Sequence, residues 1–207
     1  MVSLFYILSL LYNSRYPDLC PGNPEINRER RLHLAVDKKS LLVIDMLNDF
    51  RDGNASFKIP GFADIIKPIK REMEEARKNS YPIIYLCDCH DEDDREFRLF
   101  PPHALKGSRG ASIVDELKPE GTDILVRKNT FSGFYNTELD DMLTKLSISK
   151  IVITGIITNI SVICTAVDAL MRGYEVDVVR DAVRGLDRKS HNYGLDQMKN
   201  VFKVGII

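Results

Sequence analysis

KIVITGIITNISVICTAVDALMRGYEVDVVRDAV, residues 150 to 183, decides the fold of this chain. KIVITGI (150–156) is an apolar, β-branched run of strand length. VICTAVDALMRGY (162–174) then repeats its apolar residues at helical spacing, and the spacing predicts a helix from about Ser161 to Arg172. YEVDVVRDAV (174–183) is a second strand with its exit. Strand, helix and strand joined by short links form a crossover unit, whose two strands run parallel.

Other segments repeat the theme. SLLVIDM (40–46), YPIIYLCD (81–88) and TDILVRK (122–128) read as buried strands. PGFADIIKPIKREMEEARKNS (60–80), TELDDMLTKLSI (137–148) and SHNYGLDQMKNVF (190–202) have helical spacing. ASIVDEL (111–117) is a short helix or turn, and KVGII (203–207) adds an edge strand. The expected class is α/β, a doubly wound and mainly parallel sheet with helices on both faces. Such sheets bind ligands at the carboxyl ends of their strands. Asp45, Asp88, His90, Lys128 and the turn 157–161 all fall at that edge.

Composition narrows the function. The chain has 207 residues, 44% apolar and 29% charged, enough for one domain with a full core. A net charge of −1, with no basic run interleaved with aromatics, argues against nucleic acid or an anionic membrane as partner. Cys20, Cys87, Cys89 and Cys164 lack disulfide-scaffold spacing, so a reducing cytoplasm is expected. LFYILSLLY (4–12) is apolar but shorter than the about 20 residues that span a bilayer. It also lacks the basic start and cleavage site of a signal peptide. A docked extra helix is the expectation, and a start codon set too far upstream is the alternative. PDLCPGNPE (17–25) is a connector. Residues 1–38 are therefore read as an extension and 39–207 as the domain.

Single residues leave alternatives open. Asp45 is a turn aspartate or a catalytic acid. Lys128 is a solvated strand-end lysine or a site cation. Ser161 is a helix N-cap or a nucleophile position. Asp88 and His90, two apart on an extended strand end, point the same way. With Glu96 and His103 they suit a divalent ion such as zinc, manganese or iron. The competing reading is an acidic loop, EDDRE (92–96), with two incidental histidines.

LLVIDMLNDF (41–50), KNTFSGF (128–134) and GIITNISVICTAVDALMRGYEVDVVRDAV (155–183) together resemble the isochorismatase-like cysteine hydrolases, over roughly residues 40 to 207. The resemblance implies a triad of Asp45, Lys128 and the residue at 161, where the family has cysteine and this chain has serine. It implies a thiolate attacking an amide carbonyl, with Asp45 carrying the proton to departing ammonia. It further implies an oxyanion site on the N–H groups of Ile157 and Ser161, with a cis peptide between Ile156 and Ile157. DCH (88–90), Glu96, PPH (101–103) and GSRG (107–110) are similar to the metal segment of the nicotinamidase branch, which isochorismatases and N-carbamoylsarcosine amidases generally lack. Asp88, His90, Glu96 and His103 fall on its ligand positions, with zinc the leading metal. The implied ligand is nicotinamide or a close carboxamide, and a homo-oligomer is expected. Phe50, Phe100 and Phe131 fall near the substrate-contacting aromatic positions, with Phe134 and Tyr135 as nearby alternatives and plain core packing as the competing role.

Serine at 161 has three readings. It is an introduced replacement for cysteine, or the natural residue of a non-catalytic binder, or a sign that its hydroxyl or Cys164 does the chemistry. Cys164, three residues on, is read as packing. An unrelated nucleotide-binding module is disfavoured because DMLNDF (45–50) contains no glycine-rich phosphate loop.

Overall fold

The computed structural model describes residues 38–51 and 57–207. The apolar segment 4–12 and the connector 17–25 lie outside the described residues. Six strands form one parallel sheet: β1 (Lys39–Ile44), β2 (Ile83–Asp88), β3 (Ile124–Lys128), β4 (Lys150–Ile156), β5 (Glu175–Arg184) and β6 (Gly205–Ile206). Their order is β3-β2-β1-β4-β5-β6. Helices α1 (Ile66–Lys78), α2 (Leu139–Lys145), α3 (Ile163–Met171) and α4 (Arg188–Asp196) connect them.

Strand alternation divides the apolar residues between two cores. Leu41, Val43, Ile83 and Tyr85 face Ile69, Met73 and Ala76 of α1. Leu42, Ile44, Ile84 and Leu86 face Leu139 and Leu143 of α2, Ala166 and Ala169 of α3, and Leu195 of α4. Period two in the strands and period 3.6 in the helices therefore produce a three-layer sandwich. The strand order reverses at β1, whose neighbours are β2 and β4. This is the topological switch point, where open α/β sheets form their ligand crevice.

Helix boundaries differ from the sequence expectation in two places, while the short helix or turn expected at ASIVDEL is met. The first helical segment opens as a 3-10 turn, Phe62–Ile65, before α1. ASIVDEL becomes a 3-10 turn at Asp115–Leu117, with Ile113 bridging back to Leu47. The helix after β4 begins earlier than Ser161, as a π-helical turn over Thr158–Val162 that runs into α3. Ser161 is therefore not an N-cap, and no side-chain cap bond is made there. A second π turn, Gln197–Val201, extends α4.

Gly155 makes the switch point possible. Its φ is 106, and an added Cβ would stand 2.0 Å from the carbonyl oxygen of Ile44, the residue before Asp45. Gly173 has a φ of 85 but open space around it. Denaturant unfolding should separate the two causes. Gly173→Ala is expected to cost about 1 kcal/mol, for the left-handed backbone alone. Gly155→Ala adds a backbone collision and is expected to cost about 3 kcal/mol. Equal costs would refute the steric account.

Candidate active site and metal cluster

Three strand ends build the buried centre. Asp45 follows β1 with a φ of 51, a left-handed conformation that a buried aspartate keeps only where its surroundings fix it. Its N–H donates to the Leu86 carbonyl at 2.8 Å, and its Oδ1 accepts the Asp88 N–H at 2.9 Å. Lys128 ends β3 with a side chain 0% exposed. Its Nζ reaches Asp45 Oδ2 at 2.7 Å and Asp88 Oδ1 at 2.5 Å. One ammonium thus bridges two carboxylates in a water-poor place.

The two carboxylates are pulled apart electrostatically. Burial and the neighbouring charge of Asp88 push Asp45 up to about 7. Burial would raise Asp88 as well, but the Lys128 ammonium outweighs it and holds that carboxyl well below the usual range. Burial works against the charge on Lys128, yet Asp45 and Asp88 raise it above its ordinary value. Two acids with separated affinities suit a proton carrier beside a fixed charge.

The turn after β4 closes the centre. The Ile156–Ile157 peptide is cis. Thr158, fully buried, has its hydroxyl 2.9 Å from His191 Nδ1 of α4, which ties the turn to the second core. Ser161, 5% exposed, lines a small cavity together with Asp45, Asp88, Ile157 and Ile160. Among the described residues no partner hydrogen-bonds the Ser161 hydroxyl. The open volume is about 10 Å3, room for a single water.

Phe50, Phe57 and Phe100 form the cavity's aromatic wall, with Glu96 and His103 beside them. Phe57 stacks on Phe100 at 5.3 Å between centroids. The His103 ring packs between Phe50 at 5.2 Å and Phe57 at 5.1 Å. Phe131 is placed apart from this wall. It touches Phe100 edge-on at 6.3 Å but lines a separate apolar groove with Tyr135 and Phe202. Phe57, which lies outside the named strands and helices and carries no periodic signal, is part of this wall. Phe134 is core, against Tyr174, and Tyr135 is 60% exposed. Cys164 is half-buried in the groove that holds Phe131, and burial pushes its thiol up.

Asp88, His90, Glu96 and His103 each offer a ligand atom, and these atoms lie within 4.8 Å of one another. Their state fits a cation. His90 is wholly buried, and among the described residues neither of its ring nitrogens has a hydrogen-bond partner. Its Nδ1 lies 3.1 Å from Asp94 Oδ2, close enough for an ion-pair contact but out of line for a hydrogen bond. Burial disfavours charge on this ring, yet Asp88 and Asp94 raise it to about 9. Burial and the adjacent Asp88 charge raise Glu96. Crowded carboxylates and an unsatisfied imidazole are what a divalent ion relieves. His103 Nδ1 lies 2.7 Å from the Pro101 carbonyl. That contact places a proton on Nδ1 and turns Nε2 toward the cluster, 3.8 Å from Asp88 Oδ2 and 3.7 Å from Glu96 Oε1.

Sequence reasoning passed over Asp49. Its Oδ2 accepts the Ala104 N–H at 2.8 Å, and the Asn48 side chain donates to the carbonyls of Arg109 and Ser112. NDF (48–50) therefore staples the segment after His103 to the end of β1. Two adjacent polar residues after a strand were the available signal.

Related sequences and the same fold are met in known proteins. Residues 39–206 match the model of the isochorismatase domain. An uncharacterized isochorismatase family protein, PncA, of Bacillus subtilis is 33% identical over 175 residues, covering 79% of this chain and 95% of that protein. A protein of Arabidopsis thaliana named "probable inactive nicotinamidase At3g16190" is 32% identical, covering 78% of this chain and 88% of its own. The crystal structure of a pyrazinamidase of Pyrococcus horikoshii in complex with zinc superposes with a TM-score of 0.77 at 27% identity, covering 82% of this chain and 98% of that one. Sheet order, switch-point cavity and strand-end residues thus converge with the family match: this chain belongs to the isochorismatase family of hydrolases, on its nicotinamidase branch.

Proposed function

We propose that residues 39–207 form a nicotinamidase-like amidohydrolase domain that binds nicotinamide or a close aromatic carboxamide, and that serine at 161 makes its turnover very slow. One observation carries this reading. Asp45, Asp88 and Ser161 line the same cavity as Glu96 and His103, with Lys128 bonded to both aspartates behind it. The first 38 residues are an extension, and the protein works on a small molecule, as a cytoplasmic homo-oligomer in pyridine nucleotide salvage.

In this scheme Asp45 takes the proton of the Ser161 hydroxyl as its oxygen attacks the carboxamide carbon. The oxyanion is received by the N–H groups of Ile157 and Ser161. The C–N bond breaks, Asp45 returns the proton, and ammonia leaves. Water then attacks the acyl ester, passing its proton to Asp45; the ester C–O bond breaks, Asp45 returns the proton to the Ser161 oxygen, and the carboxylic acid departs. Lys128 fixes Asp45 throughout and limits the build-up of negative charge. Asp88, His90, Glu96 and His103 would hold the divalent ion, with zinc favoured by the mixed nitrogen and oxygen donors and manganese or iron also compatible. When bound, that ion supplies a Lewis acid for orienting the ring nitrogen or a water.

A second reading is a non-catalytic binder of the same ligand. It is favoured by the Ser161 hydroxyl, which has no base in hydrogen-bond contact among the described residues.

Both readings require metal-dependent binding, and calorimetry tests it. Zinc- or manganese-loaded protein should bind nicotinamide, and chelated protein should bind it at least about tenfold more weakly. His90→Ala should weaken the metal itself by about 100-fold or more. Equal nicotinamide affinity with and without metal would overturn the proposal.

A further inference from the structure

Thr158 opens the π turn that leads to Ser161, and no side-chain cap bond holds the start of that turn. Such turns are rare and recur at functional sites. Here the support comes from α4. The Thr158 hydroxyl, fully buried, lies 2.9 Å from His191 Nδ1. Two glycines let the elements close to this distance. A Cβ on Gly194, within α4, would stand 3.1 Å from the Asn159 Cα, tighter than ordinary contact. A Cβ on Gly185, just after β5, would stand 2.9 Å from the His191 Cα. His191 is thus seated between the chain at Gly185 and the hydroxyl of Thr158. Its own helix is anchored at the start, where Asp187 accepts the Ser190 N–H at 2.9 Å. Burial, reinforced by Arg184 and Arg180, holds His191 below its ordinary value and keeps the ring neutral near pH 7. A neutral imidazole and a hydroxyl share one hydrogen bond without bringing a charge to the turn.

We propose that His191 is a positioning residue for acyl transfer: through Thr158 it sets the turn 157–161 so that the N–H groups of Ile157 and Ser161 converge on one oxygen. For the identity of that oxygen the proposal rests on the amidase reading of the cavity. Thr158 lies between Ile157 and Ser161 in the chain, so a rotation of its peptide planes moves both donors. Donors of this kind act only at the place where charge develops, and losing one costs about 10²–10³ in kcat. His191 is absent from the walls of the cavity beside Ser161, so it acts through Thr158 and not by touching a substrate.

The test uses the full chain in the Ser161→Cys background. Alkylation by iodoacetamide across a series of pH values, resolved by peptide and run on chelated protein, gives the ionisation midpoint of the introduced thiol. The same turn stabilises that thiolate, so the midpoint reports the turn's geometry whether or not an amide is cleaved. His191→Leu keeps the bulk and loses the bond, and should raise the midpoint by about one pH unit. His191→Asn places an amide atom where Nδ1 stands and should stay within about 0.3 pH unit of the background. Thr158→Val should match His191→Leu, and Thr158→Ser should match the background. Combining Thr158→Val with His191→Leu should add little to either alone. With zinc, His191→Leu should lower kcat for nicotinamide about 30-fold and leave KM within about twofold, because the donors act on the transition state. If the background itself frees no ammonia, the amidase reading fails while alkylation still decides the role of His191. The proposal is overturned if His191→Leu leaves the midpoint unchanged, or if His191→Asn shifts it as far as His191→Leu. Additive effects at 158 and 191, or an active background that responds in KM and not in kcat, overturn it equally.

Discussion

Ser161→Cys, loaded with zinc, should release ammonia from nicotinamide at least about 10³-fold faster than the parent chain. A hydroxyl is a poor nucleophile without a strong base, and none is in hydrogen-bond contact with Ser161 among the described residues. A thiol in the same place ionises far more readily, at the first turn of a helix and near the Lys128 ammonium. Asp45, raised to about 7 by burial and Asp88, is matched to taking and returning a proton near neutrality. Asp45→Asn in the Ser161→Cys background should therefore remove the gain. An ammonia-release assay run beside nicotinamide calorimetry decides the matter. A variant that binds nicotinamide yet liberates no ammonia would sink the amidase reading and leave the binding one.

Lys128→Met should destabilise the chelated protein by about 3–5 kcal/mol, read by denaturant unfolding. The methionine fills the space, but Asp45 and Asp88 lose the ammonium that bridges them. Two buried carboxylates then face each other without a counter-ion. Adding Asp45→Asn should recover part of the loss, because it removes one unpaired charge. The two substitutions should therefore be strongly non-additive. Additive costs would mean that Lys128 is not the electrostatic keystone of the centre.

Much of this was legible in the residues. KIVITGI is β4 to the residue, and LLVI and IIYLC alternate cleanly between the two cores. Strand ends were legible for the same reason, because apolar runs stop where a charge begins, at Asp45, Asp88 and Lys128. What escaped were features set by three-dimensional context. Phe57 lines the cavity from outside the named strands and helices, where no period marks it. Phe131 sits beside the right strand end but turns toward a groove. The π turn at Thr158–Val162 shifts the helix start by three residues, and capping preferences at Ser161 do not foretell it. The metal ligands were visible as a cluster of types. That His90 would be left with two orphaned nitrogens was visible only in the packing.

Asp88 is the hinge of the whole arrangement. Its Oδ1 holds the Lys128 ammonium, while its Oδ2 faces His103 across 3.8 Å. Under the proposed scheme, support of Asp45 and capture of an ion therefore share this one residue, and a designer cannot retune either alone there. A swap that alters ion preference at 88 strips the lysine of an anchor. Retargeting the pocket to another cation has to proceed through Glu96 or the histidines, leaving that aspartate in place.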